Sequence, residues 1–319
     1  MRCKVLTITV VVALFLAATS PTVFPSDIDS KAGTAGYGFL KIGAGARAVG
    51  MGNAFAGVRG DIHCSYWNPA GLAWIEDRQA TTTYLNYLLD IQSGYIGYAQ
   101  PYRNLGVFSI TLQYMNFGSF DKTDVSGETL GTFGASDVAI GLSYGQAVTE
   151  EMSVGATFYP LIRESIDDYS ALAVAFSLGL QYHLPLEAGL TVGATAQNVG
   201  ATLNGFTSDY KDDLPMNLRL GGGLRLAHLP LLIGLDINKA TDQGLRFNLG
   251  GELTPNNLLI FRAGYRFNSS DLKVGTSKDD YVGVTGGIGF HLRTYTVDYA
   301  LSSFGELGLV HRITISAGL

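Results

Sequence analysis

The sequence predicts an all-β protein: a transmembrane, up-and-down antiparallel β-barrel of about 14 strands with an N-terminal plug. Three observations predict it. Charged residues make up 15% of the 319 residues, against roughly 25% in ordinary soluble domains. Segments of about ten residues alternate apolar and polar side chains, the period of a strand with two unlike faces. The connections between these segments alternate short and long, the habit of barrels with short periplasmic turns and longer outer loops. A hydrophobic share of 47% with 41 glycines, 17 tyrosines and 16 phenylalanines and a mean hydropathy of +0.20 exclude a disordered chain. A net charge of -6 excludes a nucleic-acid partner, whose phosphates need a concentrated basic face.

The chain opens with Arg2 and Lys4 before an apolar run from Val5 to Ala18, followed by small residues up to Ser20. This is the layout of a secretory signal peptide, assigned to residues 1–26, and the run is too short to serve as a flanked membrane span. Its removal leaves Cys64 as the only cysteine, which excludes an intrachain disulfide. Residues 27–77 follow a different pattern, rich in small side chains between Ala44 and Gly57 and closing on Asn68-Pro69-Ala70-Gly71. The segment is too long for a turn and too apolar for a linker, so it is expected to fold inside the barrel as a hatch. Met51, Phe55 and Trp67 are its candidate lining for a hydrophobic ligand path, with plain packing of the plug as the simpler alternative. Asn68-Pro69 and Ala70-Gly71 mark a sharp turn into the wall. No strand leads into the glycines and no βαβ unit follows, so they do not form a dinucleotide loop.

Residues 78–319 form the expected barrel. Phe108, Ile110, Leu112 and Tyr114 share one face against Ser109, Thr111 and Gln113, and Leu231, Ile233, Leu235 and Ile237 alternate with Asp236 and Asn238 in the same way. The expected strands are 79–89, 92–100, 105–116, 136–146, 151–162, 170–183, 188–199, 215–227, 230–239, 243–254, 258–268, 281–291, 293–302 and 308–319. The three longest connections are expected at 117–135, 200–214 and 269–280, all after odd-numbered strands. An even strand count places both barrel ends on the periplasmic side. Alternation alone also fits a secreted β-sandwich, because it does not say which face meets solvent. Charged polar-face residues Arg219, Arg225, Arg246, Glu252, Arg262, Arg266, Asp298 and Arg312 favour the membrane reading, since they suit a wet or ion-paired lumen better than a soluble core. Tyr84, Tyr87, Tyr95, Tyr98, Tyr102, Phe117, Tyr265, Phe267, Tyr295 and Tyr299 are expected to form interfacial girdles. Strand glycines such as Gly221 to Gly223 and Gly286 to Gly287 are expected to allow wall curvature.

The residues Gly45-Ala46-Arg47, Gly50-Met51-Gly52, Ala54 and Asp61, followed by Asn68-Pro69-Ala70-Gly71-Leu72, resemble the N-terminal signature of the PorV/PorQ family of outer-membrane proteins. That family belongs with the FadL-type long-chain fatty acid transporters. The resemblance extends to Leu253-Thr254-Pro255, Phe261-Arg262-Ala263-Gly264-Tyr265 and His311-Arg312. It implies a 14-stranded outer-membrane barrel with a hatch, embedded in outer-membrane lipid. Two roles follow from it: a partner in type IX protein secretion that docks secretion-system subunits and exported proteins, or a FadL-like passive transporter of hydrophobic small molecules such as fatty acids. The terminal Gly318-Leu319 departs from the aromatic ending of many such barrels.

Enzyme chemistry has no foothold in the sequence. The five histidines are scattered, and adjacent His63-Cys64 lacks metal-ligand spacing. Neither a Gly-x-Ser-x-Gly elbow nor a His-Glu-x-x-His helix is present. No catalytic residue, cofactor or metal site is therefore assigned. The acidic positions Asp121, Asp124, Glu128, Asp209, Asp212, Asp213, Asp279 and Asp280 lack the spacing of a calcium loop and read as solvated loop tips.

Overall fold

A computed structural model describes residues 30–186, 188–269 and 272–319. The signal-peptide assignment and the expected turn residue Glu187 lie outside these residues. Fourteen strands close into one antiparallel barrel in which each pairs with its neighbours in sequence. They are β1 (Gln79–Asn86), β2 (Gln92–Tyr102), β3 (Gly106–Thr123), β4 (Thr129–Ala147), β5 (Met152–Ile166), β6 (Tyr169–Leu184), β7 (Gly189–Asn204), β8 (Asn217–Arg225), β9 (Leu231–Ala240), β10 (Leu245–Leu253), β11 (Leu259–Phe267), β12 (Val284–Leu292), β13 (Tyr295–Ser303) and β14 (Leu309–Gly318). β1 pairs with β14 from Gln79 opposite Gly318 to Asn86 opposite His311, which closes the ring and leaves no open sheet edge.

The two faces of the wall decide the solvent. On β3, Phe108 and Ile110 are about half exposed on the outside while Ser109, Thr111 and Gln113 are buried inside. Leu218 and Leu220 flank buried Arg219 on β8, and Ile313 and Ile315 flank buried Thr314 on β14. An apolar outer skin over a polar interior is the reverse of a soluble sandwich. It fits hydrocarbon outside, with the wall amides paired strand to strand around the closed ring.

The strands differ in length. β3 to β7 span 15 to 19 residues and β8 to β14 only 9 or 10. At about 3.3 Å per residue one side of the barrel stands far above the other, on the side opposite the chain ends. This corrects the expected loop 117–135. β3 and β4 stay paired through most of it, with Phe120 stacked on Phe133 at 5.4 Å, and only 124–128 turn. There both faces are wet, so the lipid-facing row of apolar side chains that betrays a strand is missing. The expected loop 200–214 is shortened likewise because β7 runs on to Asn204.

Two of the acidic loop residues serve local structure. Asp124 accepts backbone hydrogen bonds from Ser126 and Glu128, and Asp279 accepts from Val274, Gly275 and Thr276 to cap a short helical turn, Ser277–Tyr281. The girdle expectation also needs correction. Tyr84, Tyr98, Tyr102, Tyr295 and Tyr299 are exposed on the wall, but Tyr95 lies on the inward parity of β2 and is buried. Tyr87 packs edge-on against Phe304, and Phe117 packs beside the interior cluster that holds Tyr37 and Phe39.

Residues 37–75 lie against the inward faces of the wall. They contain two short helices, α1 (Ala46–Gly50) and α2 (Cys64–Trp67), and a 3-10 turn at Pro69–Trp74. Met51, Phe55, Val58, Ile62, Trp67 and Leu72 share one apolar cluster, while Tyr37, Phe39 and Leu40 pack in a second. So little regular structure leaves many backbone groups to satisfy, and the wall does it. Gln113 on β3 donates to Phe39 O at 2.8 Å, Gln181 on β6 to Ala56 O and Val58 O at 2.8 Å, and Thr157 on β5 to Ser65 O at 2.8 Å. Wall glycines make the approach possible. A β-carbon on Gly264 would stand 2.2 Å from the Gly52 nitrogen, and one on Gly179 would stand 2.1 Å from Asn68 Oδ1. Inward glycines such as these seat the inner segment, a role beyond the curvature expected of them.

Candidate functional site

Arg47 and Asp61, two of the residues singled out in the N-terminal signature, join three of the charged wall residues in one chain of ion pairs. α1 carries Arg47 inward, where its Nη1 donates to Asp61 Oδ2 at 2.9 Å while Nε and Nη2 hold both oxygens of Glu252 on β10 at 2.7 and 2.6 Å. Glu252 Oε2 also accepts from Arg262 Nε on β11 at 2.7 Å, and Arg262 Nη1 reaches Asp298 on β13 at 2.6 Å. Negative and positive groups alternate from Asp61 to Asp298, so each charge sits beside its opposite in a water-poor interior. Asp61 additionally accepts from the backbone and the ring Nδ1 of His63 at 2.8 Å. Burial alone would push its carboxyl up; His63 and Arg47 outweigh that and hold it far below the usual carboxylate range.

The other signature residues act through backbone geometry. Gly45 has φ +76° and Gly52 φ +63°, conformations that suit glycine. Gly45 precedes α1, whose Ala46 N–H donates to Thr314 on β14 at 2.9 Å, and Gly50 ends α1 against Arg262 and Gly287, its carbonyl accepting from Thr285. Asn68 ties three stretches of the chain together: its Nδ2 donates to Ala56 O at 2.9 Å and to Leu180 O of β6 at 3.2 Å, and its Oδ1 accepts from Ala70 N–H. Pro69 starts the following 3-10 turn, where a missing N–H costs nothing. Gly71 packs on the Cys64 sulfur and Val58 O. Cys64 itself is fully buried and burial pushes its thiol up, which makes it an inert packing residue.

Met51, Phe55 and Trp67 are essentially fully buried in the core of the inner segment, with Phe55 and Trp67 rings 6.3 Å apart. Trp67 alone of the three also borders a cleft of about 50 Å³ between the inner segment and β7 to β11. Arg219, Arg246 and Arg266 border the same cleft, and Arg219 lies over the Trp67 ring at 5.0 Å. Arg312 is buried and donates to Ile42 O at 3.2 Å. Arg225 departs from the lumen expectation: it keeps the inward parity of β8 but sits at the strand end, exposed.

Residues beyond the sequence assignments complete the site. Asp236 on β9 is wholly buried and accepts from the Phe55 and Ala56 N–H groups at 2.8 and 3.0 Å and from Arg219 Nη1 at 3.0 Å. A carboxylate on the inward parity beside Arg219 on the next strand was the signal that marks it. Gln181 and Gln197 are further wall-to-backbone anchors whose polar strand positions carry no such signal.

Residues 26–230 match the family described as type IX secretion system protein PorV. No curated protein gives a match. Among solved structures, the Ralstonia pickettii toluene transporter TbuX is similar with TM-score 0.63 and 13% identity, over 87% of this chain and 98% of that one. The CymD monoaromatic hydrocarbon channel gives TM-score 0.61 and 12% identity over 87% and 98%, and a Pseudomonas aeruginosa FadL homologue 0.55 and 12% over 86% and 98%. Identities this low show a shared fold and nothing more. With nearly two thirds of its length matched, this chain belongs to the PorV family of outer-membrane β-barrel proteins.

Proposed function

We propose that this protein is an outer-membrane partner in protein secretion that receives exported proteins at its outer face, with residues 27–77 as a fixed hatch. The observation that carries this reading is the match of residues 26–230 to the type IX secretion protein PorV, which spans the hatch and the wall through β8. Two structural features support it. The ion-pair chain and the wall-to-backbone hydrogen bonds suit a hatch that stays in place, and the tall β3–β7 side offers protein-sized surface beyond the lipid. On this reading the protein is not an enzyme. A FadL-like passage of hydrophobic small molecules is the second reading, favoured by the fold shared with proteins described as toluene and monoaromatic hydrocarbon transporters.

The two readings separate in a pull-down from detergent-solubilised outer membranes, with mass spectrometry of co-purifying proteins and of extracted lipids. Secretion-channel subunits or exported proteins are the expected yield. A retained fatty acid or other apolar ligand without any protein partner would overturn the docking reading in favour of transport.

A further inference from the structure

Two carboxylates face the interior side by side near the outer end of the barrel. Asp137 on β4 stands directly opposite Glu164 on β5 and keeps the inward parity of buried Ala139. Like charges opposite each other in a sheet repel, and burial makes a missing counter-charge more costly. Among the described residues no lysine or arginine pairs with either; the charges that bear on them are carboxylates, Glu164 on Asp137 and Asp212 on Glu164. Tyr37 buries its hydroxyl beside Glu164 without a hydrogen-bond partner, and the neighbouring Thr202 hydroxyl donates to Asp212 O instead.

Above this pair the same face turns apolar. Outward along β4 the inward positions are Asp137, Ala135 and Phe133, and Phe133 stacks on Phe120 of β3. Ala135 lies opposite Ile166 of β5, which lies opposite Tyr169 of β6. Phe120, Ile166 and Tyr169 are exposed although large and apolar, on a part of the wall that stands clear of lipid and looks across the barrel mouth. Lys122, next on that face, is tied to Asp167. Segments 117–137, 163–169 and 204–214 carry ten Asp or Glu against three Lys or Arg, so the surroundings are acidic. A contiguous exposed apolar patch is the mark of a contact surface, and negative charge around and beneath it selects a cationic partner.

We propose that this inward face of the tall hairpins receives an extended segment of an exported protein that carries a lysine or arginine between apolar side chains. The cation enters between Asp137 and Glu164, and its apolar neighbours cover Phe120, Phe133, Ile166 and Tyr169. The carboxylates lie about 7 Å below Ala135 and Ile166, two residues along each strand at about 3.3 Å per residue, a depth that the long stem of lysine or arginine spans. Its arrival removes the repulsion that the free protein carries, whereas a hydrocarbon would leave the pair uncompensated. The proposal rests on the docking reading and names the chemistry of the docked segment.

Fluorescence anisotropy on the purified full-length protein in detergent tests this with three labelled peptides of alternating valine and threonine. One carries lysine in place of its central valine, the second carries glutamate there, and the third keeps the lysine but has serine for every valine. The lysine peptide is expected to bind at least about tenfold more tightly than either other, and to weaken severalfold as salt rises from about 50 to about 500 mM. Asp137→Asn combined with Glu164→Gln is expected to erase the preference for lysine over glutamate, and Phe120→Ser to weaken the lysine peptide severalfold. The comparison of peptides on the unaltered protein holds whether or not the variants fold. Equal binding of the lysine and glutamate peptides, the result if the two carboxyls only share a proton, would overturn the proposal. So would equal binding of the serine peptide, or no binding of the lysine peptide up to about 1 mM. The docking reading is judged separately by the pull-down: exported proteins captured by a protein without the lysine preference would keep that reading and remove this one.

Discussion

Arg47 holds three carboxylate oxygens on two residues through three separate nitrogens, which no other side chain type carries. Its planar fork spans Glu252 while the third nitrogen reaches Asp61; a lysine is a single point charge with no matching geometry. Replacing it leaves Glu252 with Arg262 alone and Asp61 with His63 alone, in an interior where uncompensated charge is expensive. Arg47→Gln is therefore expected to destabilise the seating of the inner segment by about 3 kcal/mol, read as a lower guanidinium midpoint and faster protease cleavage within residues 40–76, and Arg47→Lys is expected to recover little. Stability unchanged in Arg47→Gln would remove the ion-pair chain from the account. Asp61 fixes the pH behaviour. Its folded pKa is depressed, so its contribution is fully present above the unfolded value near 4 and is lost as pH falls below that toward the folded value. Protease resistance of the inner segment is expected to be equal at pH 7 and pH 5 and to decline only below about pH 4; a loss between pH 7 and 5 would point to another group.

At the scale of elements, the tall hairpin of β3 and β4 is the feature with the clearest consequence. Its outer part, beyond Asn116 and Ser136, pairs without an apolar row toward lipid, so the membrane does not require it. Replacing residues 119–134 with a two-residue Asn-Gly turn, which joins the register partners Gly118 and Ala135, is expected to leave the folded barrel intact, seen as unchanged heat-dependent mobility on gels, while the capture of protein partners falls severalfold. Full partner capture by the shortened protein would place docking elsewhere. The same hairpin shows why some elements could be read from the sequence and others could not. Wherever one face meets hydrocarbon and the other a polar interior, as at Phe108 to Gln113 or Leu231 to Asn238, alternation is enforced and each strand was placed within a few residues. Above the membrane both faces are wet, the alternation fades, and 117–135 looks like a loop. The aromatic expectation fails at Tyr95 for a related reason. Tyr95 has the same chemistry as Tyr98, and only the parity of β2 sends one inward and the other out.

At the scale of the whole molecule, sequence and structure meet most closely at the ion-pair chain. Arg47 and Asp61 stood out as members of a local signature, and Glu252, Arg262 and Asp298 as charges too many for a soluble core; their convergence became visible only when the ring closed, since Arg47 and Glu252 are 205 positions apart. The cleft was less legible still. Gln197, Asn217, Asn238 and Asn248 come from four strands and each looks like an ordinary polar strand position until the register aligns them. A polar-lined outer-membrane barrel closed by its own N-terminal segment should pass no ions. The most direct test is ion conductance in planar bilayers for the intact protein and for a variant lacking residues 33–76, with β-sheet content and heat-dependent mobility confirming the barrel in both. The intact protein is expected to be silent and the variant to conduct. Steady conductance through the intact protein, or a folded variant that stays silent, would contradict it.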